Sequence, residues 1–332
     1  MGGNVFPGKN KRFTAREYFD ILPEIENLMD FIATKFAVIP AYSEKSSFGD
    51  MDILFIPNEK FDISKTNEIF SSNGLIKKNG EVTSLIYKEI QIDLIKTNSE
   101  TFNYSLDYFS WNDLGNLRGK IIHKFGLKHG HNGLWLPVRS KDHTLGNVLL
   151  TLDPNLTNKI FDVEAKCEIN TLDDIFKIIT SSKYFNPAIF AFEEMNAVAR
   201  VRDKKRSTYN SFLAHIKDTP APAMHGWHEF FSDKSLYNNF IFHHFPHAKL
   251  EVEQLWKKAS EIESANEKFN GDIVKTITGL DGVELGIIMK DLKNKLTIDK
   301  IIQMDKKDID DFVLLTFKSR VIGKTPEYSK KY

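Results

Sequence analysis

The sequence predicts an α+β chain: a small mixed sheet with covering helices over residues 1–140, followed by an all-helical body. Three observations lead there. The β-prone runs, "DMDILFIP" and "IQIDLI" among them, fall in the first half of the chain. Asn79-Gly80 separates two such runs in the manner of a hairpin turn. Beyond residue 153 the strand pattern gives way to helical periodicity, with no fixed-period repeat and no low-complexity tract.

In chain order, residues 14–36 read as an amphipathic helix capped by Thr14, with Phe19, Leu22, Ile25, Leu28, Phe31 and Ile32 at helical spacing. "FAVIPAYS" and "DMDILFIP" are extended, and the second stops at Pro57. "ISKTNEIFSS" is a short helix, and "LIKKNGEVTSLIYKEIQIDLIKT" is a hairpin ending in a further strand. "FSWNDLGNLRGKIIHKFGLKHG" is helical until its glycines, while "GLWLPV" and "LGNVLLTL" form a short ribbon. Helices follow at "TLDDIFKIITSS", "AIFAFEEMNAVARVRDKKRSTYNSFLAHI" and "AKLEVEQLWKKASEIESANEKF", with "DTPAPAMHG" as the clearest loop. The last stretch is helical and interrupted by glycines. These readings divide the chain into a head at 1–140, a helical middle at 141–245 and a helical C-terminal body at 246–332.

With 41% hydrophobic residues in 332, there is material for more than one core. Lys plus Arg and Asp plus Glu both number 45, so only local clusters of charge can point to a polyanion. The single Cys167 excludes an intramolecular disulfide framework and a cysteine-based zinc site, and reads as a small core residue. No apolar run approaches a membrane span, and the N-terminus has no apolar signal core. Met1-Gly2 is not a myristoylation signal, because Phe6 stands where Ser or Thr is needed. A cytoplasmic protein with no membrane partner is the expectation.

The chemistry centres on "SSFGDMDILF". In a strand, residues i and i+2 share a face, so Asp50 and Asp52 project together while Met51 and Ile53 pack opposite. A third acid, Asp93, lies between Ile92 and Leu94 in another apolar strand. Converging carboxylates repel unless a cation sits among them, and Mg²⁺ takes oxygen ligands of this kind. The alternative is that Asp50 and Asp52 cap a turn after Gly49 and Asp93 is an unrelated edge residue.

This combination resembles the polymerase β superfamily of nucleotidyltransferases, whose pattern is a Gly-Ser pair, a short loop, Asp-x-Asp on one strand and a third Asp on a later one. The resemblance covers residues 37–96, with Asp50 and Asp52 at the paired acids and Asp93 at the third. Ser43 takes the second place of the Gly-Ser pair, and Tyr42 stands where the family has Gly. The resemblance implies two Mg²⁺ ions (or Mn²⁺ as substitutes) on Asp50, Asp52 and Asp93. It also implies that Ser43, Lys45, Ser47 and Gly49 surround the triphosphate of an NTP, ATP or CTP.

Later segments bear on the acceptor. Asp113, Asn116 and Arg118 in "WNDLGNLRGK" echo the Asp-x-x-Asn part of a motif of CCA-adding enzymes, which would bring Asn116 and Arg118 to a ribose or phosphate. A capped helix with a solvated polar face explains them equally. "FNGDIVKTITGLDGVELG" resembles the C-terminal body of bacterial-type CCA-adding enzymes and poly(A) polymerases. In this reading Gly279, Gly282 and Gly286 open a helix at Val283 toward an RNA phosphate, or else serve packing alone. "ARVRDKKR" supplies Arg200, Arg202, Lys204, Lys205 and Arg206, with Phe190, Phe192 and Tyr209 nearby. That cluster is either a solvated helix face or a groove for single-stranded RNA. The histidines of "KHGHNG", "HGWHEFF" and "HHFPH" lack a catalytic zinc spacing. The expectation is therefore a template-independent enzyme adding nucleotides to an RNA 3′ end, of tRNA or poly(A) type. Its rivals are an enzyme that nucleotidylates a protein or small molecule, and a non-catalytic nucleic-acid-binding module.

Overall fold

The structure, a computed structural model, describes residues 5–140, 143–217 and 233–322. The Met1-Gly2 start, the "DTPAPAMHG" loop and the "HGWHEFF" histidines lie outside these residues. Strand β1 (Phe13–Thr14) leads into helix α1 (Ala15–Met29) through a capping box. Thr14 Oγ1 accepts from the Glu17 N–H at 3.3 Å, and Glu17 Oε2 accepts from the Thr14 N–H at 2.8 Å. The helix stops at Met29, well before residue 36, because β2 (Ala33–Val38) draws the next residues into the sheet. Its buried face is Tyr18, Ile21, Ile25 and Met29, whereas Phe19 and Phe31 are 56% and 58% exposed. The helical periodicity was readable, but its phase was displaced by the two exposed aromatics.

After β3 (Ser47–Phe48), which pairs with β1, come β4 (Asp50–Pro57), α2 (Ile63–Ile69), β5 (Ile76–Asn79), β6 (Val82–Tyr87) and β7 (Ile90–Lys96). The sheet order is β2-β4-β7-β6-β5, parallel only between β4 and β7. The β5–β6 turn is made by Gly80, at φ 60°, and Glu81 between the paired Asn79 and Val82. Met51, Ile53 and Phe55 of β4 and Ile90, Ile92 and Leu94 of β7 join Ile25, Met29 and Phe70 in one core. Burying each of these large side chains stabilises the head by roughly 1.5–3 kcal/mol. That core fixes the strand register and so turns Asp50, Asp52 and Asp93 to the opposite face.

Helices α3 (Phe102–Phe109) and α4 (Leu114–Lys124) precede β8 (Lys128–Gly130), β9 (Gly133–Arg139) and β10 (Thr144–Thr151), which form a second sheet in the order β10-β9-β8. Every described element beyond β10 is helical, as the pattern after residue 153 predicts. Following α5 (Pro154–Ile160) and α6 (Leu172–Thr180), the stretch 188–216 is not one helix. It splits into 3₁₀ turns at Pro187–Phe190 and Phe192–Glu194, then α7 (Ala197–Lys204) and α8 (Ser207–Ile216). Local side chains cause the breaks. Asn196 caps α7 by accepting from the Ala199 N–H at 2.9 Å, and Arg200 donates to the Phe192 and Met195 carbonyls. Asn210 Nδ2 donates to the Lys204 and Arg206 carbonyls at 3.1 and 2.7 Å, closing α7 before α8 begins.

The remaining helices are α9 (Asn238–His244), α10 (His247–Lys268), α11 (Gly271–Thr278), α12 (Gly282–Lys295), α13 (Ile298–Gln303) and α14 (Lys306–Ile322). The chain divides into two units: 1–137 with 147–248, and 138–146 with 249–332. The second has its own core of Phe269, Val274, Ile288, Leu292, Ile309 and Val313. Among the described residues no helix is long and apolar enough to cross a membrane. Cys167 is exposed, contrary to expectation, in the irregular stretch between α5 and α6, where Ala165, Lys166 and Glu168 are exposed as well.

Candidate metal centre

Parallel pairing of β4 and β7 sets Asp52 directly beside Asp93, and Asp50 beside Gln91. Because the side-chain period of a strand is two, all four point to one face. One carboxylate oxygen from each of Asp50, Asp52 and Asp93 lies within 4.8 Å of the others, and the three residues are half-buried. The sequence reading brought these three together, and the structure places them together.

Their electrostatics follow from crowding. Burial, then the charges of Asp50 and Asp93, push the Asp52 carboxyl up to about 8, with the Lys45 ammonium working the other way. Burial also raises Asp93; the Ser84 hydroxyl and the Gln91 amide donate to it and oppose the rise, while the charge of Asp50 adds to it. Gln91 Nε2 lies 3.0 and 3.1 Å from the two Asp93 oxygens. Lys45 sits 4.5 Å from the Phe48 ring centroid, and burial pulls its ammonium below the usual range despite the pull of Asp50 and Asp52. Local cations therefore do not balance the carboxylates. Three hard oxygen donors at this separation, half-buried and under-compensated, fit a divalent cation such as Mg²⁺ or Mn²⁺.

Asp50 and Asp52 line a cleft of about 700 Å³. One wall carries Arg12, Lys45, Ser47 and Gly49, and Tyr42 also faces the space. Arg12 Nε and Nη2 donate to Ser47 Oγ and the Ser47 carbonyl at 2.9 and 3.1 Å, which stiffens the loop before the acids. The α7–α8 junction also lines the cleft, through Lys205, Arg206, Ser207, Thr208 and Ser211. No side chain caps the N-terminus of α8, so its first-turn N–H groups stand beside these hydroxyls and cations. The Lys205 ammonium has no ion-pair or hydrogen-bond partner among the described residues, whereas Arg206 is paired with Asp113. An anion held in the cleft would lie against Asp50 and Asp52.

Other expected site residues lie elsewhere. Ser43 is not on the cleft surface; its hydroxyl donates to Asn170 Oδ1 at 2.5 Å and its N–H to the Ile169 carbonyl at 3.2 Å. Arg118 is 2% exposed, paired with Asp107 at 3.1 Å and donating to the Val163 carbonyl, so it holds helices together and cannot reach a ligand. Asn116 accepts from Arg202 Nη2 at 3.1 Å, and its own Nδ2 is buried without a partner. Arg202 is also held by Asp203, a fully buried carboxylate that binds Lys120 at 2.7 Å. Arg200 satisfies carbonyls, and Lys204 lies over the Phe192 ring.

Two of the three aromatics near the basic cluster, Phe190 and Tyr209, are closed to a base, while Phe192 is half-buried. Phe190 and Tyr209 are fully buried, and the Tyr209 hydroxyl donates to the Phe190 carbonyl. In the C-terminal body, Gly279 ends α11 at φ 71° and Gly282 opens α12. Asp281 accepts from the Gly282 N–H at 2.8 Å and pairs with Lys275, so a carboxylate of the chain already stands where a phosphate was expected. Gly286 lies within α12 with open space around it.

Sequence reasoning missed Arg12 and Gln91. Arg12 carried no motif; Gln91, two residues before Asp93 on the same strand face, was legible from the period-two rule alone. In comparisons with known proteins, no family model matches this chain and no curated protein matches it significantly.

Proposed function

We propose that this chain is a metal-dependent nucleotidyltransferase of the polymerase β type, transferring a nucleoside monophosphate from ATP or CTP to the 3′-hydroxyl of an RNA, with a tRNA end among the candidate acceptors. One observation carries the reading: three carboxylates from adjacent parallel strands converge within 4.8 Å, and two of them, Asp50 and Asp52, line a cleft that Lys205, Arg206 and the start of α8 also line. A phosphoryl-transfer site needs a cation cluster and an oxyanion cradle on facing sides. A bound Mg²⁺ pair would supply Lewis-acid stabilisation of the charge that develops on attacking and leaving oxygens.

In this reading Asp50 and Asp52 hold both metals, and Asp93 holds the catalytic one. Asp93, whose basicity burial raises, takes the proton of the attacking hydroxyl. The bond from the acceptor oxygen to the α-phosphorus forms as the bond from that phosphorus to pyrophosphate breaks. Lys45 and the N–H groups of α8 hold the departing phosphates, and Lys205 meets the phosphate backbone of the acceptor. The cationic wall favours a polyanionic acceptor over a protein or small molecule.

The test is incubation with each α-labelled NTP, Mg²⁺ and separate pools of tRNA and oligo(A). Labelled RNA is the expected product, with Asp50→Ala and Asp52→Ala each losing at least about a hundredfold of activity. Label on the protein or on a small molecule would overturn the RNA acceptor. Absence of pyrophosphate release with every NTP and acceptor would overturn the enzyme reading.

A further inference from the structure

Asp93 is positioned from outside its own strand. Gln91 is 1% exposed, and its amide joins two partners: Oε1 accepts from the Val5 N–H at 3.0 Å, while Nε2 donates to the Asp93 carboxylate. A carboxamide has one accepting and one donating end, and in isolation either can face a neighbour. A backbone N–H can only donate. Val5 therefore fixes which end of Gln91 faces inward, and the end that remains is the one that a carboxylate can accept from. If the N–H were lost, the amide could turn its oxygen toward Asp93 and repel it.

The Val5 contact is held at both ends. The Val5 carbonyl accepts from Lys77 Nζ at 3.1 Å, the same ammonium lies 5.1 Å from the Phe6 ring centroid, and Phe6 is 5% exposed. The N-terminal segment is thus pinned across the β5–β7 side of the sheet, far in sequence from the acids. Gln91 also lies beside Asp50 in the strand register, so its amide borders two of the three carboxylates.

We propose that Gln91 is a positioning residue for the metal centre, and that the Val5 backbone N–H sets it. Oriented donors behind a ligating carboxylate select the rotamer and the lone pairs that face the cation, and their loss typically weakens metal binding by about 10–100-fold. The proposal rests on the metal reading given above, and the experiment separates the two.

The experiment follows Mn²⁺ uptake by electron paramagnetic resonance in the metal-stripped full chain and four variants. Val5→Ala keeps the N–H and should bind as the unaltered chain does. Gln91→Met keeps the length and loses both polar ends, and should bind about tenfold more weakly. Val5→Pro removes the N–H, with a ring that also fixes φ, and should show a smaller loss in the same direction. The double variant Val5→Pro/Gln91→Met should be no weaker than Gln91→Met alone, because the N–H acts only through the amide. That non-additivity is what a general loosening of structure would not produce.

If the unaltered chain takes up no Mn²⁺, the metal reading falls and the relay with it. If it binds and Gln91→Met binds equally well, the relay alone is overturned. Losses that multiply in the double variant, or a Val5→Ala loss equal to that of Val5→Pro, overturn the role of the N–H.

Discussion

Asp52 gives the most demanding test, because its protonation links the site to folding. In the metal-free chain its carboxyl is raised from 3.8 to about 8. Between those values the folded state keeps a proton that the unfolded chain releases. The sign follows: stability is present at low pH and is lost as pH rises through the window. One proton of difference corresponds to about 1.4 kcal/mol per pH unit, so from pH 5 to 7 the loss is about 3 kcal/mol. For a unit of this size that is roughly 6–12 °C in melting temperature. Asp52→Asn removes the proton and should flatten most of the slope, leaving the part that Asp93 contributes in the same direction. Thermal melts in EDTA at several pH values, for the unaltered chain and the variant, measure this directly. Added Mg²⁺ should reverse the trend in the unaltered chain, since a metal competes with the proton and binds better as pH rises. A chain whose metal-free stability rises with pH across this window, or an Asp52→Asn slope equal to that of the unaltered chain, would refute the reasoning.

Three further outcomes are expected. Lys205→Glu should weaken RNA binding and reduce its log–log salt slope by roughly 0.7 or more, with the melting temperature unchanged, because the ammonium has no partner to lose among the described residues. Arg202→Glu sets a carboxylate against buried Asp203 and should appear as lost stability in urea titration, about 1–3 kcal/mol, whatever it does to RNA. Asp203→Ala leaves Lys120, whose side chain is 14% exposed, without its carboxylate, and should cost about 3–5 kcal/mol by the same titration.

Those contrasts mark where sequence reasoning reached and where it stopped. The acids were legible because an aspartate in an apolar strand needs a reason, and the period of two aligns Asp50 with Asp52 without knowledge of the fold. The neighbour relation of Asp93 was legible only through a resemblance, since strand order is a long-range property. Arg118 and Arg200 show the opposite limit. An arginine written beside a site looks the same in sequence whether its guanidinium meets a ligand or a carbonyl, and here carbonyl partners take both. The split of 188–216 was hidden for a similar reason. Asn196 and Asn210 are ordinary helix residues by composition, and only their hydrogen bonds to the backbone reveal breaks. Phe19 and Phe31 misled the phase of α1 because large apolar residues on a surface are common.

The loop that precedes the acids is fastened by a segment made much later. The Ser43 and Glu44 N–H groups donate to the Ile169 and Asn170 carbonyls at 3.2 and 2.9 Å. A ribosome adding about 5–20 residues per second completes the acidic strands several seconds before it delivers that clasp, and α8 later still. The acidic strands are therefore made before the residues that complete the cleft. The unit that a gene fusion or truncation must preserve is thus the whole run through α8, not the sheet that carries the acids.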